Sequence, residues 1–287
     1  MEKVLIYFFS GTGNTEIIAQ LFREGFTKKG CKVSICAIEK TTKSSALTNI
    51  NSYDIIGFGH PVHAFGAPTI FHQFIKKLPF IENKRSFYFK TAGDPIFNGG
   101  SNHLVRKNLS SRGYKIFNES LLVMPSNVLI QYNEELVKQL YNTAIKKIAV
   151  IVDQILGYHT TLQKDNILIR LFSNLFNKSV TIGAKYFGKY LYALNNCSQC
   201  QLCINHCPTN NINYIDGKVE FGNECTFCMR CVYICPEKAI RNKYMNFVIL
   251  KNRYSIKSII DNPSITGNYI SEKTKGYFKH FYKYLSN

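Results

Sequence analysis

Residues 3–15 read Lys-Val-Leu-Ile-Tyr-Phe-Phe-Ser-Gly-Thr-Gly-Asn-Thr: an apolar run that stops at a cluster of hydroxyls and glycines. Beyond it, Ile17, Ile18, Leu21, Phe22 and Phe26 recur at helical spacing up to Gly30. A strand that passes through such a loop into a helix gathers backbone N–H groups and hydroxyls where the helix dipole favours an anion, so a phosphate belongs there. A Walker loop would need Gly-Lys-Ser/Thr, and the dinucleotide fingerprint would need glycine where Glu16 stands.

The same rhythm continues to about residue 150. Strands are expected at Lys3–Phe9, Lys32–Ile38, Tyr53–Gly59, Arg85–Lys90 and Tyr114–Met124. Helices are expected at Thr15–Lys29, Thr69–Leu78, Asn102–Arg112 and from Glu134 onward past Ala149. Strands alternating with amphipathic helices make an α/β, doubly wound parallel sheet, with ligands at the carboxyl ends of its strands. Two loops fall there, Gly59–Pro68 and Thr91–Pro95.

The phosphate loop, Ser10, Gly11, Thr12, Gly13, Asn14 and Thr15, resembles the loop with which flavodoxins bind the phosphate of FMN. The resemblance implies a five-stranded sheet of order 2-1-3-4-5 and FMN as cofactor. It also implies ring contacts from Pro61, Val62, His63, Ala64, Phe65 and Gly66 and from Thr91, Ala92, Gly93 and Asp94, with Gly66 the glycine that rearranges on reduction. His63 and Phe65 either flank the ring or pack into the fold, and Asp94 is open in the same way. The loop at Thr91 departs from the glycine-rich form common in flavodoxins.

Eight of the ten cysteines lie between Cys197 and Cys235, in two runs of form C-x2-C-x2-C-x3-C-P: Cys197, Cys200, Cys203 and Cys207, then Cys225, Cys228, Cys231 and Cys235. Zinc sites also use C-x2-C pairs, but zinc ribbons use two pairs, whereas each run here offers four ligands and a proline. The repeat resembles bacterial-type ferredoxins with two [4Fe-4S] clusters. That resemblance implies crossed ligation: Cys197, Cys200, Cys203 and Cys235 on cluster one, and Cys225, Cys228, Cys231 and Cys207 on cluster two. Cys31 and Cys36 read as small buried hydrophobes.

Four segments are expected: 1–150, flavodoxin-like; 151–194, a helical connector; 195–241, the ferredoxin unit; and 242–287, an aromatic-rich extension packed on the body. The whole resembles flavodoxin and ferredoxin fusion proteins of anaerobic bacteria, which implies electron transfer to redox proteins. The alternative is an FMN-dependent reductase of a small molecule, with a pocket lined by His63, Phe65 and Phe97. The charge of +18, from 36 basic and 18 acidic residues, suits acidic electron carriers as partners. No helix-turn-helix, RNP or zinc-finger pattern supports specific nucleic-acid binding. The most apolar stretch, Ile148–Leu156, is interrupted by Asp153 and falls short of the roughly 18 to 20 residues of a membrane span. With no export signal visible, thiol ligands point to a reducing cytoplasm.

Overall fold

The computed structural model describes residues 1–286 apart from 44–48, 64–65, 97–100, 164–178, 180 and 254. Strands β1 (Lys3–Phe8), β2 (Lys32–Ala37), β3 (Ile55–Pro61), β4 (Lys84–Ala92) and β5 (Tyr114–Val123) form one sheet in the order β2-β1-β3-β4-β5. Each neighbouring pair is parallel, as the doubly wound expectation requires.

Alternation along β1 sorts the two faces. Val4, Ile6 and Phe8 enter one core with Phe22 and Phe26 of α1 (Asn14–Lys28), while Leu5, Tyr7 and Phe9 enter the other with Phe71 and Phe74 of α2 (Thr69–Lys77). Val105 and Leu109 of α3 (Ser101–Ser110) complete the second face. Helix α4 (Glu134–Leu156), capped where the Leu136 N–H donates to the Asn133 side chain, covers the first. Val152 and Ile155 are fully buried in that core, so residue 150 falls inside a helix of the first unit and not at its edge.

The cysteine-rich part is built from short pieces. Strand β6 (Leu191–Ala193) pairs antiparallel with β9 (Ile240–Asn242), and β7 (Ile212–Ile215) with β8 (Lys218–Phe221) across an Asp216-Gly217 turn in which both residues have positive φ. Helices α5 (Leu202–Asn205) and α6 (Arg230–Ile234) each begin after a left-handed residue, Gln201 and Met229. The two cysteine runs repeat in backbone as well as in sequence. Gln199, Gln201 and Asn210 have positive φ in the first, and Phe227, Met229 and Lys238 in the second.

The last segment folds back on the sheet unit. Ile256 and Ile259 of α7 (Ile256–Asp261), then Ile265, Ile270 and Phe281 at the start of α8 (Phe281–Ser286), are buried against α4 and its neighbours. Glu135 holds the segment between them by accepting from the Asn268 N–H, the Thr266 hydroxyl and the Thr266 and Gly267 N–H groups, bonds that pull its carboxyl below the usual range.

Candidate functional site

At the carboxyl end of the sheet, β1 delivers the chain into Ser10–Thr15. Gly13 occupies the N-cap of α1 with φ 103°, and no side chain caps the helix there. Its N–H donates to Ser10 Oγ at 3.1 Å, Thr15 Oγ1 meets Thr91 Oγ1 at 2.8 Å, and Asn14 Nδ2 donates to the Pro125 carbonyl at 2.8 Å. Asn14 Oδ1 is buried and finds no partner among the described residues. The uncapped amides of a 15-residue helix suit a phosphate, and the orphaned Asn14 oxygen suits a ligand hydroxyl.

A cavity of about 140 Å³ lies over this loop. Its walls include Ser10, Gly11, Thr12, Asn14 and Thr15, then Pro61, Val62 and His63, then Thr91, Ala92 and Gly93. Gly13 stands behind the wall, and Ala64, Phe65 and Phe97 lie outside the described residues. Gly66 is not on the wall; it is locked to His63 by a reciprocal pair of backbone hydrogen bonds, 2.9 and 3.0 Å.

Asp94 does not face the cavity either. Its Oδ2 accepts from Tyr277 at 2.8 Å and pairs with His280 Nε2 at 2.7 Å, and its Oδ1 accepts from the Ile96 N–H at 2.7 Å. The carboxylate expected near a flavin ring therefore anchors the C-terminal segment instead, because two polar groups from that segment satisfy it where it is nearly buried.

The remaining walls come from places that the sequence reading left out. Pro125–Val128 follow β5, and the Asn127 amide donates to Thr12 Oγ1. Phe227 and Met229 come from the second cysteine run. Phe227 is held edge-on by Phe187 with ring centroids 4.7 Å apart, and Met229 is 4% exposed. His63 and Phe227 also border a neighbouring cavity of about 740 Å³, which reaches Cys207 and Cys225. Burial pushes the His63 imidazole down to about 4, so it is neutral near pH 7.

The two units meet tightly at Gly11. A Cβ added there would stand 2.2 Å from the Cys228 carbonyl oxygen, so the two backbones touch. Beside them Arg230 acts as a clasp: its guanidinium donates to the Ser10, Gly11 and His206 carbonyls and pairs with Glu39. The Tyr233 hydroxyl donates to the Asn127 carbonyl at 3.1 Å, and Val128 bridges Ile249. In the sequence Arg230 is one more x in C-x2-C, which gives no hint of this.

The eight clustered cysteines separate into two groups. Cys197, Cys200, Cys203 and Cys235 border one small void, and Cys207, Cys225, Cys228 and Cys231 border another. Backbone N–H groups point at sulfur in matched places, Asn211 to Cys207 and Ala239 to Cys235, each at 3.3 Å. Cys200 is exposed. Around the second void burial raises the thiols, Cys225 to about 12 and Cys231 well above 9, so a bound cation is what would hold them as thiolates.

The 4Fe-4S dicluster domain family matches residues 189–236. The five-stranded parallel sheet of order β2-β1-β3-β4-β5 thus precedes a segment that matches this family. Comparison with curated proteins finds an uncharacterized protein of Methanocaldococcus jannaschii, 28% identical over 119 residues that make up 42% of this chain and 73% of the other. Among solved structures, the rubredoxin oxygen:oxidoreductase of the anaerobe Desulfovibrio gigas aligns with 18% identity and a TM-score of 0.42, over 55% of this chain and 37% of that one. The chain thus spans little more than a third of that relative. The two-electron reduced Megasphaera elsdenii flavodoxin aligns with 23% identity and a TM-score of 0.37, over 50% of this chain and 98% of its own. The matched segment holds all eight clustered cysteines, from Cys197 to Cys235. No described helix is long and apolar enough to cross a membrane.

Proposed function

We propose that the protein relays electrons between FMN and two [4Fe-4S] clusters and on to redox partner proteins in the reducing interior of the cell. One observation carries the reading: Phe227 and Met229, which flank Cys228 in the second cysteine run, are walls of the cavity above the phosphate loop. Electron transfer needs its centres near one another, and here the residues between two ligand cysteines touch the proposed flavin site.

In this reading the N–H groups at the start of α1, with Thr12 and Thr15, hold the phosphate, and Asn14 receives a hydroxyl of the sugar-alcohol chain. The cavity of about 140 Å³ takes that end of FMN. Small-molecule sites run to about 300 Å³ or more, so seating the ring means displacing the wall of His63 and Phe227 toward the larger cavity beyond it. When bound, FMN accepts two electrons together and releases them singly, which matches a two-electron donor to one-electron clusters. The cysteines group as Cys197, Cys200, Cys203 and Cys235 around cluster one and Cys207, Cys225, Cys228 and Cys231 around cluster two.

Anaerobic purification with iron, sulfide and flavin measured together tests the proposal. About eight irons and one FMN per chain are expected. Zinc in place of iron, or reconstituted protein that takes up no flavin, removes the corresponding half.

The 740 Å³ cavity favours a second reading, in which a small molecule is reduced beside Cys207, Cys225 and His63. Saturable, substrate-dependent turnover would establish it, and reduction of protein partners alone would favour the carrier.

A further inference from the structure

The two cysteine runs have the same spacing and the same backbone turns, yet their intervening residues differ in kind. Where the first run has Gln199 and Gln201, the second has Phe227 and Met229 at the equivalent positions. Gln199 and Gln201 are exposed, with Gln199 bonded to the Tyr214 hydroxyl at 2.6 Å, whereas Met229 is buried and Phe227 packs on Phe187. The Cys228 backbone touches Gly11, and Cys200 faces solvent.

Resting on the flavin and cluster reading above, we propose that the two clusters are not interchangeable. The one bordered by Cys207, Cys225, Cys228 and Cys231 is the internal cluster, turned to the phosphate-loop cavity. The one bordered by Cys197, Cys200, Cys203 and Cys235 is the port, through which single electrons pass between this chain and an external redox protein.

The stretch of the port that carries Cys197, Cys200 and Cys203 has a distinct chemistry, with the exposed Glu237 and Lys238 beyond Cys235 at its edge. From Leu191 to Ile215 there is no Asp, Glu, Lys or Arg, in a chain whose formal charge is +18. Ile215 is 45% exposed and Tyr214 39%. A neutral, partly apolar window in a cationic body suits a partner with an uncharged centre ringed by carboxylates: the surrounding charge steers the encounter, and the window avoids desolvating ions at the contact. A second copy of this chain, equally cationic, is repelled. The occupant is therefore a small acidic one-electron carrier.

Two experiments on the reduced holoprotein test the assignment. Electron paramagnetic resonance with a soluble dysprosium chelate reports how near each cluster lies to solvent, and Cys200→Ser and Cys228→Ser each perturb one signal and so assign it. The signal altered by Cys200→Ser should be relaxed several-fold more strongly than the one altered by Cys228→Ser; equal or reversed relaxation overturns the proposal. Ser198→Glu changes no ligand, and it should slow reduction of an acidic bacterial ferredoxin about threefold to tenfold at low salt while leaving both cluster spectra in place. Unchanged kinetics overturn the port. A chain with eight irons and two signals that fails these tests loses only the wiring. A chain without cubane signals loses the underlying reading, and the wiring falls with it.

Discussion

Replacing Gly11 by alanine probes the contact on which both functional proposals depend. The added methyl would lie 2.2 Å from the Cys228 carbonyl oxygen, which is backbone and cannot swing aside. To reach ordinary contact the phosphate loop and the second cysteine run must separate by about 1 Å, a displacement of the kind that costs about 1–3 kcal/mol in packed interiors. That is roughly a 5-fold to 150-fold shift toward the undocked arrangement.

Gly13→Ala is the control. Its φ of 103° strains any other residue, at about 1–2 kcal/mol, but nothing lies within 4 Å of the new methyl. Both variants should lose some thermal stability, and only Gly11→Ala should open the interface. Amide hydrogen exchange separates them. Exchange at residues 225–229 and 10–12 should rise in Gly11→Ala and stay near wild type at 225–229 in Gly13→Ala. Equal protection at 225–229 in wild type and Gly11→Ala would refute the argument, because the two backbones would then not be in contact in solution.

Other perturbations follow from single contacts. Arg230→Ala removes charged hydrogen bonds to three carbonyls and should destabilise the docked chain by about 2–3 kcal/mol in denaturant titration, with Arg230→Lys restoring only part because an ammonium lacks the planar fork. Phe281→Ala should cost about 3–5 kcal/mol, since the ring is fully buried and packs edge-on against Tyr132; loss within 0.5 kcal/mol of wild type would mean the C-terminal segment is not docked. His60 is bonded to the Tyr88 hydroxyl and the Pro61 carbonyl, with His63, His72 and Lys90 nearby, and burial pushes it down to about 3. Between pH 6.5 and 4 the unfolded chain binds a proton that the folded chain refuses, so stability present above pH 6.5 should fall with pH, by about 1.4 kcal/mol per unit for this group. His60→Gln should flatten that slope, and an unchanged difference between the two titration curves would exclude His60 as its source.

The strands and helices of the sheet unit were legible because each is announced within about ten residues, by alternation or by a helical stripe with a glycine stop. β1 was expected to end at Phe9 and ends at Phe8, and α4 runs on to Leu156 because Val152 and Ile155 still have core to cover. The phosphate loop and the cysteine runs were legible for a different reason: their spacing is itself the geometry of the ligand. Asp94 was not, since the groups that claim it, Tyr277 and His280, lie far along the chain and follow no periodicity that points back to it.

What the reading missed at the site has a common physical origin. Arg230, Phe227 and Met229 act across the interface between the two units, Arg230 on carbonyls 219 and 220 residues away, and local pattern cannot report such a contact. A signal was nonetheless present, in the comparison of the two halves of the repeat. Duplicated runs under the same constraint of ligation ought to diverge only where their surroundings differ. Cysteine, proline and the left-handed turns are kept, while Gln199, Gln201 and Leu202 of one correspond to Phe227, Met229 and Arg230 of the other. Exchange of two amides for two large apolar side chains at exposed turn positions would leave a hydrophobic patch in water, so something had to cover the second run. An arginine on the adjacent turn needs acceptors in that cover, and the Ser10 and Gly11 carbonyls, released from any β-ladder at the end of β1, are acceptors of that kind. The asymmetry of the repeat thus identifies the docked face, and the end of the first strand supplies the surface that it meets.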